Sequence, residues 1–424
     1  MSSLNTDKPP AAPAAAETKS RLPKPSSMYM STGLDVWTMM NQIAASVNAV
    51  NLGQGYMSFP PKEFIKKAAQ NTFAESTHNQ YAPPRGRPAL LGQLGARFTE
   101  KLGRPIDPNS EVSVHAGANE ALLSVFTAFL EHCKGHEVIL MEPAFDHIHQ
   151  TSSWLAASPY WKLDINELES AVNENTRILV LNTPHNPVGK VFTREELEAI
   201  GAVAERHNLL IVSDEVYEHL TYDVEHVSIA TLPGMWDRTI TVGSAGKLFG
   251  VTGWRVGWAV GPEELIKPTL SAHTRIVFTS NTPLQEGIAA SLKQAKENDF
   301  FNIQRQEYQC RRDRLTAIFD DVGLPYVAPD GAYYLLANAS SIRIPQDYDF
   351  PQFIEERGDN FKLVYFFTKE FGVSGIPPTE FYSDAHKNLA KDYIRFAFCK
   401  TDKELEEAKR CLQKLKEYLK ANPS

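Results

Sequence analysis

The sequence predicts an α/β fold: a large domain built on a mostly parallel (mixed) sheet with helices on both faces, and a smaller α+β domain made from the N- and C-terminal segments. Three observations carry this expectation. Short apolar runs alternate with amphipathic helical stretches through the middle of the chain, which is the pattern of buried parallel strands joined by crossover helices. After about residue 301 the texture changes to long charged helices and isolated strands. The length of 424 residues, with 42% hydrophobic and 22% charged side chains, suits two or three ordinary globular domains.

Residues 1–27 are rich in Pro, Ala, Ser and Lys without apolar periodicity, so a disordered tail is expected there. The tail lacks the apolar core of a secretory signal, and with Asp7, Glu17 and a single Arg21 it makes a poor mitochondrial presequence. A cytoplasmic location is therefore expected, with the mitochondrion as the alternative. Residues 28–60 are read as an N-terminal arm and part of the small domain, with Val36, Met39, Met40, Ile43 and Val47 on one face of a helix. Residues 61–300 are read as the large domain. Its strand candidates are Val138–Met141, Ile178–Leu181, Leu209–Val212, Ile240–Val242 and Val256–Val260. Residues 301–424 complete the small domain, with strands at Tyr333–Leu336 and Tyr393–Phe398 and a helix over Asp402–Leu419.

A formal net charge of -8 argues against a chain that coats nucleic acid or an anionic membrane. No apolar run approaches the roughly 20 residues of a membrane span. Four scattered cysteines form neither a disulfide framework nor a zinc site.

Ligands of open α/β sheets bind beyond the carboxyl ends of the strands. Asn182 follows one predicted strand, Asp214 with Tyr217 follows the next, and Ser244 with Lys247 follows the third. Singly, each has a plain reading as a turn, a helix cap or a solvated loop lysine. Three such accidents at successive strand ends are less economical than one site. An NTPase P-loop fails on spacing, because Thr241 and Leu248 stand where glycine and Ser/Thr are required. No GxGxxG follows an early strand, no HExxH is present, and His147 and His149 are two residues apart on a helix-like stretch. No metal is expected.

Pyridoxal 5'-phosphate fits these groups. It needs a lysine amine for its aldehyde and later for proton transfer, and an anion against its ring nitrogen; Lys247 and Asp214 supply both. Asn182 and Tyr217 are placed to donate to its phenolic oxygen. Ser244, Arg255 and the Gly117-Ala118-Asn119 turn before an apolar helix offer the hydroxyl, cation and helix N-terminus that its phosphate needs. Phe145, after the Val138–Met141 strand, can stack on the ring.

Asn182-x-x-x-Asn186-Pro187-x-Gly189, Asp214-Glu215-Val216-Tyr217, and Gly243-Ser244-Ala245-Gly246-Lys247 with Gly253-Trp254-Arg255-Val256-Gly257 resemble fold-type I aminotransferases of class I/II. The resemblance runs from about Met28 to the C-terminus. It is strongest to the group of kynurenine aminotransferases (the fungal ones especially), glutamine transaminase K and cysteine-conjugate β-lyase, through Asn51-Leu52-Gly53-Gln54-Gly55, Asn79-Gln80-Tyr81 and Ile376–Tyr382. It implies that Arg395 clamps the substrate carboxylate, with Asn182 and the Gly53 backbone completing that site. It further implies that Tyr81 reaches the cofactor phosphate of a partner subunit in a homodimer, and that Trp37, Phe278 and Tyr334 line the side-chain pocket.

The implied activity is ping-pong transfer of an amino group to a 2-oxo acid, with L-kynurenine as donor, kynurenate as product and a place in tryptophan catabolism. The near alternative is β-elimination from cysteine conjugates or glutamine transaminase K activity. A non-catalytic pyridoxal-phosphate regulator is the rival of another class, and the acidic chain offers no basic module for one.

One segment departs from the pattern. Thr151–Tyr160 runs almost directly into Trp161-Lys162-Leu163-Asp164, so an edge strand of the large sheet is expected to be missing. Its loss would bare a neighbour's hydrogen-bonding edge and lower solubility.

Overall fold

The structure is a computed structural model and describes residues 34–131, 133–144, 152–156 and 161–423. The predicted tail, Phe145, His147 and His149 lie outside the described residues. Val36–Ser424 forms one compact unit. Among the described residues no helix is long and apolar enough to cross a membrane.

The first helix, Val36–Ser46, buries Val36, Met39, Met40, Ile43 and Ala44 along one face, as its apolar spacing predicts. It leads into β1 (Val50–Asn51). Eight strands then build the large sheet: β2 (Val112–His115), β3 (Glu137–Glu142), β4 (Ser152–Ala156), β5 (Lys162–Leu163), β6 (Thr176–Asn182), β7 (Leu210–Asp214), β8 (Thr239–Ser244) and β9 (Gly257–Val260). Their spatial order is β2-β9-β8-β7-β6-β3-β4-β5. The core run from β4 through β3, β6 and β7 to β8 is parallel, while β9 is antiparallel to both β8 and β2. The sheet is thus mixed but mostly parallel.

Crossover helices make the parallel order possible. Arg194–Arg206 connects β6 to β7 and starts at a capping box, in which Thr193 Oγ1 accepts the Glu196 N–H and Glu196 accepts the Thr193 N–H. Apolar clusters cover both faces: Ile139, Leu179, Leu181 and Ile211 belong to one, and Val138, Ile178, Val180 and Val212 to the other. This alternation within single strands is why the runs are apolar throughout.

Beyond the long helix Phe300–Val322 come β10 (Tyr334–Asn338), β11 (Val373–Ser374) and β12 (Tyr393–Ala397). Strands β10 and β12 pair antiparallel, and β1 pairs parallel with β11. One apolar cluster joins Val36, Met39, Ile43 and Leu52 of the N-terminal segment to Phe319, Phe367, Phe396 and Leu412 of the C-terminal one. The final helix, Asp402–Ala421, begins at a second capping box made by Thr401 and Glu404.

The expectation of a missing edge strand is corrected. Ser152–Ala156 forms β4, with Ser152, Ser153 and Trp154 in register with Leu140, Met141 and Glu142 of β3. Unpaired edge groups on β3 would be costly, and the short segment can take extended conformation and satisfy them. The edge then passes to β5, only two residues long, and the predicted solubility deficit loses its cause.

Candidate active site

The parallel strands β6, β7 and β8 end side by side, so their last residues are neighbours by construction: Asn182 is in register with Asp214, and Asp214 with Val242. Asn182 Nδ2 donates to the Asp214 carbonyl at 3.0 Å, and Asn182 Oδ1 accepts the Asn186 N–H at 2.8 Å. Asn182 therefore ties two strand ends together and shapes the turn carrying Asn186. Asp214 Oδ1 accepts the Val216 N–H at 3.3 Å. Burial pushes its carboxyl up to about 7, with Glu215 adding to the rise and the Val216 amide and Lys247 opposing it. A buried carboxyl of this kind is suited to a cationic ring nitrogen.

Lys247 lies on the short helix Ala245–Leu248 immediately after β8. Its Nζ donates to Tyr333 Oη at 2.9 Å and to the Gly55 carbonyl at 3.4 Å. Tyr333 Oη in turn donates to Gly55 O at 2.8 Å. Tyr217 is buried, its ring 5.1 Å from Tyr333, and its Oη lies 3.4 Å from Tyr334 Oη. Burial raises the phenols of Tyr217 and Tyr333 well above the ordinary range, so both act as neutral hydrogen-bonding groups.

The phosphate side is built from backbone. The helix Ala118–Phe129 starts at Gly117 with no side-chain cap, which leaves the amides of its first turn, at Ala118 and Asn119, for an anion. Gly117 has φ +90°, and a Cβ there would lie 2.7 Å from Arg255 Nη2, so this turn accepts only glycine. Arg255 is exposed, adopts φ 54° and gives Nη1 to the Thr252 carbonyl at 3.2 Å. Ser244, at the end of β8, is buried. Uncapped amides, a glycine cradle and a guanidinium form a donor set that fits a phosphate monoester.

Arg395, on β12, is 1% exposed. Nη2 donates to Gly53 O at 2.8 Å and Nη1 to Asn186 Oδ1 at 3.2 Å, while Nε has no acceptor among the described residues. The guanidinium stands 4.4 Å from the Tyr334 ring centre, 4.9 Å from Trp37 and 5.0 Å from Phe381. Burial lowers its pKa. A buried cation held only by neutral acceptors and rings is matched to an incoming carboxylate.

Trp37 and Tyr334 are thus brought to Arg395. Phe278 and Tyr81 are not: they meet each other, rings 5.4 Å apart, and are 47% and 83% exposed. Gly53 meets Arg395 through its carbonyl, and its N–H is given to Asn51 Oδ1 at 3.0 Å. Sequence reasoning missed Tyr333, Asn186, Gly55 and Phe381 as contact residues. Asn186 and Gly55 stood inside quoted motifs without a role. Nothing local separates Tyr333 from Tyr334, whose rings lie 4.6 Å apart.

The sequence matches the aminotransferase class I and II family over residues 47–412. It is 37% identical over 422 residues to the kynurenine–oxoglutarate transaminase of Dictyostelium discoideum, covering 93% of this chain and 97% of that one. Against kynurenine–oxoglutarate transaminase 1 of Homo sapiens the identity is 36% over 406 residues, covering 90% and 95%. The crystal structure of Bna3p from Saccharomyces cerevisiae superposes with a TM-score of 0.89 at 39% identity, covering 94% of this chain and all of the other. Aspartate aminotransferase of Thermus thermophilus shares the fold at 28% identity and a TM-score of 0.81. The chain belongs to the class I and II aminotransferases, enzymes that work with pyridoxal 5'-phosphate.

Proposed function

We propose that this aminotransferase moves the amino group of L-kynurenine to a 2-oxo acid, in tryptophan catabolism, as a cytoplasmic homodimer. The observation that carries the donor is the carboxylate site itself: a buried Arg395 walled by Trp37, Tyr334 and Phe381, which suits an aromatic amino acid. The kynurenine transaminases among its relatives support the same reading.

Pyridoxal 5'-phosphate, held through its aldehyde by Lys247 until the substrate amine takes that place and frees the lysine amine, would supply an electron sink for the bonding electrons released at the amino acid's α-carbon. The chain does the rest. Arg395 binds the carboxylate in two parallel hydrogen bonds and so fixes which substituent faces Lys247. The Lys247 amine takes the α-proton and returns it, with Tyr333 Oη and the Gly55 carbonyl holding Nζ in place. Asp214, as the carboxylate, keeps the ring nitrogen protonated. Ser244, Arg255 and the Ala118 and Asn119 amides would hold the phosphate. Donor and acceptor use the Arg395 site in turn, which is what makes the kinetics ping-pong. Kynurenate then forms when the released oxo acid closes its ring.

The exposed pair Tyr81 and Phe278, next to exposed Ile276 and Val277, supports the dimer as a surface for a second copy. Sedimentation should give twice the chain mass, and cell fractionation tests the location. A panel of amino donors against several 2-oxo acids tests the substrate: kynurenine should be among the best by kcat/KM. Pyruvate and free thiol from a cysteine conjugate, without transamination, would overturn the assignment in favour of a β-lyase. Lys247→Ala should lose the visible band that the cofactor gives when joined to the enzyme.

A further inference from the structure

Behind the candidate phosphate turn lies a cluster that the site does not use directly. His115 ends β2, Glu120 is the third residue of the helix Ala118–Phe129, and His273 belongs to the helix Glu263–Ile276. Both histidines are fully buried. The Glu120 carboxylate accepts His273 Nδ1 at 2.9 Å, His115 Nδ1 at 3.1 Å, the Ala116 N–H at 2.9 Å and Ser124 Oγ at 2.5 Å. Ser113 Oγ meets the other nitrogen of His115 at 2.9 Å. One carboxylate thus staples the strand end, the residue before Gly117, the first helical turn and the neighbouring helix.

We propose that His115, Glu120 and His273 are positioning residues for the cofactor phosphate, holding the Gly117-Ala118-Asn119 turn so that its amides converge on the anion. This rests on the reading of that turn as the phosphate cradle.

Two physical points support it. Gly117, at φ +90°, is the most permissive kind of backbone joint, and the turn can aim its amides only if both flanks are fixed. Glu120 fixes one flank through the Ala116 N–H and the other through its own place in the helix. Second, a lone carboxylate beside a phosphate would repel it and would be costly to bury. Two imidazole N–H donors spread that charge, and burial of the pair is tolerated because every carboxylate lone pair is used. Burial lowers the pKa of His115, in keeping with a neutral donor whose second nitrogen accepts from Ser113.

The test separates phosphate holding from general folding. Cofactor-free wild type, Glu120→Ala, Glu120→Gln, His273→Leu and His273→Asn are titrated with pyridoxal 5'-phosphate and with pyridoxal, which lacks the phosphate, reading the visible band. Loss of the staple should weaken pyridoxal 5'-phosphate by about five- to thirtyfold in Glu120→Ala, the scale of a lost helix-cap bond, while pyridoxal binding stays within about twofold. Glu120→Gln keeps an acceptor for Ala116, and His273→Asn keeps a donor near the Nδ1 position, so each should restore most of the preference; His273→Leu should not. Should Glu120→Ala fail to fold, the two His273 variants decide.

Equal weakening of both compounds, or an unchanged preference in Glu120→Ala and His273→Leu, would overturn the inference while leaving the cofactor assignment intact. Stoichiometric zinc in wild type that disappears in Glu120→Ala would also overturn it, by making the cluster a metal site. A wild type giving no band with pyridoxal 5'-phosphate would instead defeat the reading of the cradle on which the inference stands.

Discussion

Arg395→Lys keeps the charge and most of the length of the side chain, so its effect isolates the value of the planar fork. In the structure the guanidinium spans Gly53 O and Asn186 Oδ1 at 2.8 and 3.2 Å and still has N–H groups to give a carboxylate. A lysine ammonium offers three donors from one point and cannot span those acceptors while making two parallel bonds. The loss of one charge-assisted hydrogen bond is about 1.5–3 kcal/mol, which corresponds to roughly 10- to 150-fold in affinity. Weaker stacking among Trp37, Tyr334 and Phe381 acts in the same direction. Steady-state kinetics with both substrates varied should show KM rising by the same factor for the amino acid and for the 2-oxo acid, because both occupy one carboxylate site. The cofactor band should persist. A change under threefold, or one confined to a single half-reaction, would refute the placement of the carboxylate at Arg395.

Gly55→Ala would put a Cβ 2.0 Å from Tyr334 Oη, so a loss of about 1–3 kcal/mol is expected in thermal unfolding, with a raised KM. Gly92→Ala, in the helix Pro88–Leu102 with nothing within 4 Å of the added atom, should instead stabilise by roughly 0.5–1 kcal/mol. Tyr333→Phe deletes the 2.9 Å bond from Lys247 and should slow α-proton transfer about two- to tenfold, visible as a larger α-deuterium isotope effect with little change in substrate binding. Asp214 gives a pH test. Its carboxyl is pushed up from 3.8 to about 7 in the fold, so the cofactor-free folded chain keeps a proton that the unfolded chain releases. Asp214's contribution to the stability of the cofactor-free protein should therefore fall as pH rises from about 4 to 7 and level off above, so Asp214→Asn should lose stability less, or gain it more, than wild type across that window; parallel profiles would sink the account.

Which parts were legible from sequence follows from how far apart the interacting residues lie along the chain. Asn182 and Asp214 could be read because each ends a strand of one parallel sheet, and Lys247 because it follows the end of the next strand by three residues; register brings those strand ends together. Arg395 came only through family resemblance, since its neighbours Gly53 and Asn186 lie 342 and 209 residues away. Tyr333 reaches Gly55 across 278 residues, and no local pattern announces that meeting. His273 reaches Glu120 across 153 residues from the interior face of a helix, where a histidine looks like any other buried position. Strand β2 carries no local sign of its burial: Val112-Ser113-Val114-His115 alternates apolar and polar residues, yet all four are buried. Its polar side chains are inside because Ser113 meets His115 and His115 meets Glu120, the last of them a partner outside the strand. Strand β4 is hidden for a similar reason: pairing with β3, rather than its own composition, decides its conformation.

A chain with a net charge of -8 nevertheless concentrates cations where substrate and cofactor are anionic. Arg395 is buried without a carboxylate partner among the described residues, and Arg255 stands beside the uncapped helix start. The placement of Arg395 costs stability in the empty protein, because burial disfavours the charged guanidinium. The cost is recovered when an anion binds, and every amino acid and 2-oxo acid brings the same carboxylate. Asp214 is the mirror case, a carboxyl that resists ionisation until a cationic ring nitrogen arrives. Both strained charges therefore favour the loaded state over the empty one, and they sit on segments far apart in sequence. Ligand-dependent stabilisation should consequently exceed what either site gives alone, and double substitution of Arg395 and Asp214 should remove more of it than either single substitution.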